Sequence, residues 1–219
     1  MKTVYLVRHG QSEINIHNYA FGDEKSPLTA LGHAQADQIA QRCSKLKIDV
    51  IISSTMLRAK ETATAISRIN PVAIELSDIF QERKNPSILN SNDRYKEPLR
   101  SKRDAWLASF YVENQQVEDG DNFATITKRA KRAMAFLENR TEDTILVVAH
   151  GFILTTLLAL IIIGDSITPE ELKDFMLRVK MENTGISVLQ YDFEGTEMYD
   201  NMKLSGWSMR MWNDHAHLG

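Results

Sequence analysis

The chain contains a single cysteine, Cys43, and only five prolines among its 219 residues. One thiol cannot form an internal disulfide, so the sequence is not that of a small disulfide-held secreted fold and is typical of a reducing compartment. The formal net charge of −3 gives no global attraction to nucleic acid or to an anionic membrane surface. We therefore expect neither as a partner.

Two common signatures of cofactor chemistry are also missing. The sequence contains no Gly-x-x-x-x-Gly-Lys phosphate loop and no His-Glu-x-x-His zinc motif. His215 and His217 stand two residues apart near the C-terminus, which is a poor indication of a metal site without further ligands. The sequence predicts no bound metal and no cofactor.

Long apolar runs are scarce. The first one ends at Arg8-His9 and is too short for a secretory signal, so we expect a cytoplasmic protein. Residues 145–164 approach the length of about 20 apolar residues that a membrane-spanning helix needs. His150-Gly151 interrupts this run after a β-branched segment, and a buried helix ending at Gly164 fits the remainder. We favour strand, turn and helix over a membrane span.

Apolar strand-like segments alternate with helical ones along the chain. Strands are predicted at residues 3–7, 50–52, 72–76, 145–148 and 185–189. Helices are predicted at residues 29–44, 56–70, 122–139 and 151–164 and after Thr168, with helical composition at 93–114, a loop at 81–92 and an unassigned tail from Gly195. This alternation predicts one α/β domain over residues 1–219, a three-layer α/β/α sandwich with a mixed, mostly parallel central sheet.

Polar clusters follow three of the predicted strands. Arg8-His9 follows the first, Ser53-Ser54 with Arg58 follows the second, and His150-Gly151 follows the strand that begins at residue 145. Ligands collect at the carboxyl ends of strands in such sheets, so the clusters should form one cationic pocket. Arginine matches phosphate oxygens, and a helix N-terminus adds backbone donors. Each cluster alone fits a polar loop, a helix cap or a buried core histidine; only their joint placement indicates a phosphate site.

These clusters resemble the motifs of the histidine phosphatase superfamily, also called the phosphoglycerate mutase-like family. Residues 8–15 read R-H-G-Q-S-E-I-N, where the family has R-H-G-(E/Q)-(S/T)-x-x-N. Residues 26–32 (S-P-L-T-A-L-G) resemble its P-L-T-x-x-G helix entry, and residues 52–63 (I-S-S-T-M-L-R-A-K-E-T-A) resemble its S-S-x-x-x-R-A-x-x-T-A segment. Residues 147–151 (V-V-A-H-G) resemble its second histidine motif. The similarity runs in the family's order from residue 3 to about residue 190, and it implies a phosphoglycerate mutase-like fold.

The resemblance implies a role for each residue of the pocket. His9 would attack phosphorus and carry a phosphohistidine intermediate, and a neutral imidazole is a competent nucleophile. Arg8, Arg58 and His150 would hold the phosphoryl oxygens, so that no metal ion is required. His150 contributes only as a hydrogen-bond donor, and we expect bound phosphate to keep it protonated. Gly151 would assist through the backbone next to it.

The family also commonly has a carboxylate after the third strand, as general acid for the leaving group. Glu82 matches that position, with Asp78 as the rival acid and a solvated Glu82 paired with Arg83 as the plainer interpretation. The residues expected to contact substrate are Asn15, Gly22, Arg83 and Gly151.

The family resemblance implies a metal-independent phosphatase that hydrolyses phosphomonoesters through phosphohistidine on His9. Residues 82–87 read E-R-K-N-P-S and lack both the Tyr-Gly and twin-arginine pattern of glycolytic mutases and the Gly…Trp-Glu-Gly pattern of broad phosphatases. The alternatives are a phosphoglycerate mutase-type phosphotransferase and a non-catalytic phosphate- or phosphoprotein-binding module, which needs neither nucleophile nor acid. The expected partner is a phosphorylated small molecule or phosphoprotein, and the sequence gives no oligomeric state.

A substrate lid is predicted at about residues 82–120. Its segment 83–103 contains seven cations against Asp93 and Glu97. The cations are Arg83, Lys84, Arg94, Lys96, Arg100, Lys102 and Arg103. This pattern fits either a basic lid over an anionic substrate or a solvated helix face. Trp106, Phe110 and Tyr111 lie beyond it and are expected to pack in the core rather than to stack on substrate.

Overall fold

The computed structural model describes residues 1–16, 24–89, 96–112, 115–199 and 202–219, with the backbone alone at 196–199 and 202–204. Its centre is a six-stranded sheet with the spatial order β3-β2-β4-β1-β5-β6. The strands are β1 (Lys2–Arg8), β2 (Val50–Ser54), β3 (Ile74–Ser77), β4 (Thr144–Ala149), β5 (Ile186–Tyr199) and β6 (Met202–Asp214).

The first four strands in the chain are parallel. β1 pairs with β4 in parallel, with Arg8 opposite Ala149, and β2 pairs in parallel with both β4 and β3. β5 runs antiparallel to β1, and β6 antiparallel to β5. The prediction of a mixed, mostly parallel sheet is confirmed. The carboxyl ends of β1, β2 and β4 therefore lie side by side at one edge.

Helices cover both faces of the sheet. They are α1 (Glu13–Ile16), α2 (Ala30–Cys43), α3 (Leu57–Ile69), α4 (Leu99–Ser109), α5 (Phe123–Glu138), α6 (Gly151–Ile163) and α7 (Pro169–Arg178), with 3₁₀ turns at Asp78–Phe80, Ser87–Leu89 and Ala216–Leu218. One buried apolar cluster joins the sheet to α2 and α3 through residues such as Ile39 and Ile66. A second joins the opposite face to α5, α6 and α7. The α/β/α sandwich is confirmed.

The helix starts follow local side-chain chemistry. The Thr29 hydroxyl accepts a hydrogen bond from Gly32 N at 3.0 Å and caps α2. Thr168 and Glu171 form a reciprocal capping box at α7, where Pro169 occupies the first turn. These caps satisfy backbone N–H groups that have no partner within the helix.

The apolar run at residues 145–164 is a strand followed by a helix, as expected. β4 is buried from Ile145 to Ala149, and α6 buries side chains such as Leu154 and Leu158 in the core. Within the described ranges, no helix is long and apolar enough to cross a membrane.

Two parts of the sequence prediction are wrong in extent. The last predicted strand is only the start of a long hairpin, because β5 continues to Tyr199 and β6 returns antiparallel beside it. Register shifts interrupt this hairpin, so its alternation of apolar and polar side chains is broken. In the lid, the helix predicted at residues 93–114 is present only over Leu99–Ser109, and residues 93–95 and 113–114 lie outside the described part.

Candidate active site

Side chains from three strand ends meet at the carboxyl edge of the sheet. Arg58, in the first turn of α3, donates from Nε to His9 Nε2 at 3.1 Å. The rings of His9 and His150 are 5.0 Å apart between centroids. A Cβ placed on Gly151 would lie 3.6 Å from Arg8 Nε, so the start of α6 reaches the same point. The structure therefore brings together the four pocket residues predicted from the strand ends.

The ring of His9 has a defined tautomer. Its Nδ1 lies 2.6 Å from Gly10 O, and a carbonyl oxygen only accepts, so Nδ1 carries the proton. Nε2 then holds a lone pair, which accepts from Arg58. His9 is 2% exposed. Burial, with Arg58 and Arg8 nearby, holds the pKa of His9 well below 6.5, so the ring is neutral at pH 7.

His150 is fully buried, and its Nε2 lies 2.8 Å from Ser54 Oγ. Burial, with the positive charges of Arg58 and Arg8 nearby, holds the pKa of His150 well below 6.5. The structure therefore favours a neutral His150, and the imidazolium expected from the sequence would need an adjacent anion. Ser54, which the sequence places in the polar cluster after the second strand, orients this ring.

Two buried nitrogen atoms of the pocket have no hydrogen-bond partner among the described residues: Arg8 Nε and His150 Nδ1. The Arg8 guanidinium donates to Met181 O through another nitrogen. Burial lowers the pKa of Arg8 below its ordinary value of 12.5. Buried polar atoms without partners are uncommon in folded proteins and mark positions where a ligand can bind.

Close backbone packing fixes the loop that carries His9. A Cβ on Gly10 would lie 2.5 Å from Gly32 O, so only glycine fits where this loop meets α2. Gly10 N donates to Thr62 Oγ1 at 3.1 Å, and the same hydroxyl donates to Arg58 O at 2.8 Å. Thr62 therefore joins the nucleophile loop to the helix that carries Arg58. Thr62 is the threonine of the segment at residues 52–63 that resembles a family motif, although the sequence does not reveal its partners.

Glu82 lies at the N-terminus of α6. Its Oε1 accepts from Arg83 N at 2.9 Å, and its Oε2 accepts from Phe152 N at 3.3 Å. The carboxylate is thus held by backbone N–H groups at the pocket edge rather than by the Arg83 guanidinium. Asp78, the rival acid, is exposed in the preceding 3₁₀ turn. Of these two candidate acids, Glu82 is the one with a described contact to the start of α6.

Arg83 is enclosed by aromatic rings and is 4% exposed. Its guanidinium carbon lies 4.3 Å, 4.5 Å and 4.9 Å from the ring centroids of Trp106, Phe152 and Phe110. Burial lowers the pKa of Arg83 to about 10. Trp106 and Phe110 are buried, as expected for core residues, and they pack directly on a cation.

Carboxylates pair with most of the described lid cations. The pairs are Lys84–Asp119 at 2.9 Å, Arg100–Asp104 at 3.9 Å, Lys102–Glu118 at 3.3 Å and Arg103–Asp104 at 2.7 Å. These carboxylates come after residues 83–103 in the chain, the segment whose excess of cations suggested a basic lid. The fold brings the carboxylates into contact with that segment. The positive charge of that window is therefore largely neutralised within the lid.

Two of the remaining site predictions concern the loop after His9. Asn15 Oδ1 accepts from Ser12 N at 3.0 Å and from Ser12 Oγ at 3.1 Å, and its side chain is exposed at the start of α1. Gly22 lies outside the described residues. Asn183, which lies in none of the sequence motifs, donates from Nδ2 to His9 O at 2.8 Å. Only its proximity in the fold reveals that contact.

In the part of the chain that the structure describes, no group of three or more His, Cys, Asp or Glu side chains is placed to hold a metal ion. His217, one of the tail histidines, contacts Thr184 and Arg42 instead.

A neutral histidine flanked by two arginines and a second histidine, at the carboxyl edge of a mostly parallel sheet, is the arrangement of a histidine phosphatase. A family model described as histidine phosphatase superfamily (branch 1) matches residues 4–200. The chain belongs to that superfamily.

The chain is also similar to particular proteins over its full length. A protein of Enterobacter sp. (strain 638), named probable phosphoglycerate mutase GpmB, is 29% identical over 221 residues, covering 100% of this chain and 95% of its own. Bacillus stearothermophilus YhfR superimposes with a TM-score of 0.80 at 22% identity, covering 100% of both chains. The alpha-ribazole phosphatase from Shigella flexneri gives 0.76 at 19% identity, covering 97% of this chain and 96% of its own. These structures confirm the phosphoglycerate mutase-like fold.

Proposed function

We propose that this protein is a phosphatase that hydrolyses phosphomonoesters through a phosphohistidine on His9. The observation that carries the proposal is the state of the His9 ring: Nδ1 is held by Gly10 O, and the Nε2 lone pair points to the arginine side of the pocket. A neutral, buried, oriented imidazole is the form that attacks phosphorus.

The groups around His9 suit a phosphoryl group. Arg8 Nε and His150 Nδ1 are buried without described partners, and Arg58 already contacts His9 Nε2. Preorganised donors of this kind stabilise the charge on the equatorial oxygens of a transferring phosphoryl group. An anion among the three would also favour protonation of His150, which then donates to it. These groups supply the positive charge, so the proposed reaction proceeds without a metal ion.

Glu82 would act as acid and then as base. In the first step His9 Nε2 forms a bond to phosphorus, the ester P–O bond breaks, and protonated Glu82 gives its proton to the leaving oxygen. In the second step the Glu82 carboxylate takes a proton from water, the water oxygen attacks phosphorus, and the P–N bond breaks to release inorganic phosphate and His9. The contacts of its carboxylate with two backbone N–H groups at the pocket edge support this role for Glu82.

Four residues are proposed to contact the substrate, and one segment is proposed to form a lid over it. Gly151 lies beside Arg8 and leaves room for an anion at the N-terminus of α6. Asn15, Gly22 and Arg83 remain proposed substrate contacts, and residues 82–120 remain the proposed lid. Because aromatic rings enclose the Arg83 guanidinium, it could contact the substrate only at the edge of those rings. We therefore expect Arg83 to contribute mainly next to Glu82, its neighbour in the chain. The proposed substrate is a phosphorylated small molecule, and the proposed compartment is the cytoplasm.

Rapid quenching tests the covalent step. Wild-type protein mixed with a phosphomonoester and quenched within one turnover should carry acid-labile, base-stable phosphate, and His9→Ala should carry none and release no phosphate. His33→Ala, which removes an exposed histidine on α2, is the matched control and should behave as wild type. Turnover should survive EDTA. Substantial hydrolysis by folded His9→Ala protein, or a loss in EDTA that magnesium restores, would contradict the proposal.

A mutase is the second candidate, because the GpmB relative carries that name at 29% identity. A mutase must hold a second acceptor in the pocket and return the phosphoryl group to it. A phosphatase should release inorganic phosphate from monoesters without 2,3-bisphosphoglycerate as primer. Interconversion of 3- and 2-phosphoglycerate with little phosphate released would favour the mutase.

A further inference from the structure

We propose that the C-terminal tail, residues 213–217, fixes the position of the Arg8-His9 motif by supporting residues 181–185, which we call the 181–185 turn. The activity tests of this inference rest on the proposed phosphatase function, whereas the contacts themselves can be tested without it.

The inner side of the 181–185 turn holds the end of β1. Met181 O accepts from the Arg8 guanidinium, and Thr184 N donates to Arg8 O at 2.9 Å. Asn183 Nδ2 donates to His9 O at 2.8 Å. One turn therefore fixes both the side chain of the first pocket arginine and the backbone of the proposed nucleophile.

The 181–185 turn needs support to keep its shape. Thr184 has φ of 58°, in the left-handed region that β-branched residues rarely adopt, and its side chain is fully buried. A Cβ on Gly185 would overlap Asn213 Oδ1, so the tail packs directly against the turn. A strained residue persists when its surroundings hold it, and here the surroundings include the tail.

The tail contacts the outer side of the turn at two points. Asn213 Oδ1 accepts from Glu182 N at 2.9 Å. His217 Nε2 lies 3.0 Å from Thr184 Oγ1, whose own proton goes to Asn183 O at 2.7 Å. Since the hydroxyl proton is already used, Nε2 of a neutral His217 is the donor to Thr184, and its Nδ1 accepts from Arg42 at 3.4 Å.

The tail is itself fastened to the body of the protein. Arg42, near the end of α2, forms a bidentate ion pair with Asp214. A continuous chain of contacts thus runs from α2 through the tail and the turn to Arg8 and His9. Loss of the His217 contact should leave Thr184 free to relax and should loosen the hold of Asn183 on His9 O. Misplacing a nucleophile lowers transition-state binding more than ground-state binding, so kcat should fall more than KM rises.

Three substitutions in the tail separate positioning from a general packing role. His217→Ala removes the donor to Thr184. His217→Gln keeps an amide N–H that can reach the same hydroxyl. His215→Ala is the matched control, because His215 is exposed and its ring, among the described residues, hydrogen-bonds to the backbone of its own tail.

On an alkyl phosphate, His217→Ala should lower kcat about ten-fold, with KM within about two-fold of wild type. His217→Gln should restore most of kcat, and His215→Ala should match wild type. A wild-type kcat in folded His217→Ala protein would overturn the inference. Equal losses in His217→Ala and His217→Gln, or in His217→Ala and His215→Ala, would overturn it too.

A spectroscopic test is independent of turnover. In ¹⁵N-histidine spectra, the His9 ring signals, assigned by comparison with His9→Ala, should shift in His217→Ala and stay in place in His215→Ala. If wild-type protein releases no phosphate but this shift occurs, the proposed function fails and the positioning role stands. If turnover is present and the His9 signals of His217→Ala superimpose on those of wild type, the positioning role fails alone.

Discussion

The hydroxyl of Thr62 connects two parts of the pocket that lie far apart in the chain. It accepts from Gly10 N and donates to Arg58 O, so it sets the loop of the nucleophile against the helix of the arginine. Thr62→Val has nearly the same shape but no hydroxyl, and it leaves Gly10 N without its partner. We expect a loss of kcat of about ten-fold or more, with KM little changed. Steady-state kinetics on an alkyl phosphate measures this.

Thr62→Ser is the control for that prediction, because it keeps the hydroxyl and removes only a methyl group. It should retain most of the wild-type kcat. Comparable losses in the serine and valine variants would show that Thr62 contributes by packing alone.

The two pocket histidines should remain neutral at unusually acidic pH. Burial and the neighbouring arginines hold the pKa of each well below 6.5. As the pH is lowered, the unfolded chain therefore binds these protons at a higher pH than the folded protein does. The contribution of the two histidines to the free energy of unfolding should be complete above pH 6.5 and should decrease as the pH is lowered below it. Histidine ring titration by NMR, compared with the same protein in urea, measures the shift. A ring of His9 or His150 that protonates at or above pH 6.5 would contradict the prediction.

The role proposed for Glu82 depends on the leaving group. Glu82→Gln keeps the size of the side chain and removes the proton that an alkoxide needs. Hydrolysis of alkyl phosphates should fall by about 10²-fold or more, whereas p-nitrophenyl phosphate, which leaves as a stabilised phenolate, should lose much less. Equal losses on both substrates would show that Glu82 acts through pocket structure or charge, and the acid would then be sought first at Asp78.

The sequence could reveal only part of the pocket. Four pocket residues could be predicted because they stand at or shortly after the end of an apolar strand, and parallel strands end at one edge of the sheet. They are Arg8, His9, Arg58 and His150. Ser54 and Thr62 belong to the segment at residues 52–63 that resembles a family motif, and Asn183 belongs to none of the quoted motifs. The partner of each is distant in the chain. Nothing in their local spacing predicts those partners.

At the scale of elements, the first strand caps a distant helix. Lys2 is 2% exposed, and its Nζ donates to Leu137 O at 3.0 Å, Glu138 O at 2.9 Å and also to Arg140 O. These carbonyls lie at the C-terminus of α5, where a cation is favourable. Lys2→Met keeps the length of the side chain and removes the donors. It should lower the free energy of unfolding by about 1–3 kcal/mol, as measured by urea denaturation.

Lys45→Met, at an exposed lysine after α2, is the control for Lys2→Met and should leave the free energy of unfolding almost unchanged. Because Lys2 lies at the opposite end of β1 from His9, kcat of the folded Lys2→Met protein should equal that of wild type. Wild-type stability in Lys2→Met would show that water satisfies those carbonyls equally well.

The elements with regular patterns were predictable and the irregular ones were not. Capping residues such as Thr29 and Thr168 marked helix starts correctly. The hairpin of β5 and β6 escaped prediction because its register shifts remove the two-residue period, and Gly206 within it has a φ of 84°. The sequence left two interpretations of the cations at residues 83–103, a basic lid and a solvated face, because the carboxylates that pair with these cations come from the following segment, which only folding brings close.

At the scale of the whole molecule, the pocket depends on contacts that span nearly the entire chain. Residues of the proposed site come from β1, α3, the loop after β3 and the start of α6, and the tail at residues 213–217 contacts the 181–185 turn, which holds Arg8 and His9. Substitutions remote from the proposed chemistry, as at His217, should therefore change catalysis without contacting substrate.

The central position of β1 has a consequence for synthesis on the ribosome. β1 emerges well before both of its neighbours in the sheet, because its parallel neighbour begins at Thr144 and its antiparallel neighbour at Ile186. For most of translation the nascent chain therefore exposes an apolar strand with two open edges, which is prone to pairing with other chains. Ribosome-bound chains stalled before residue 186 should be inactive and should recruit chaperones, and activity should appear only after the last hairpin has left the exit tunnel.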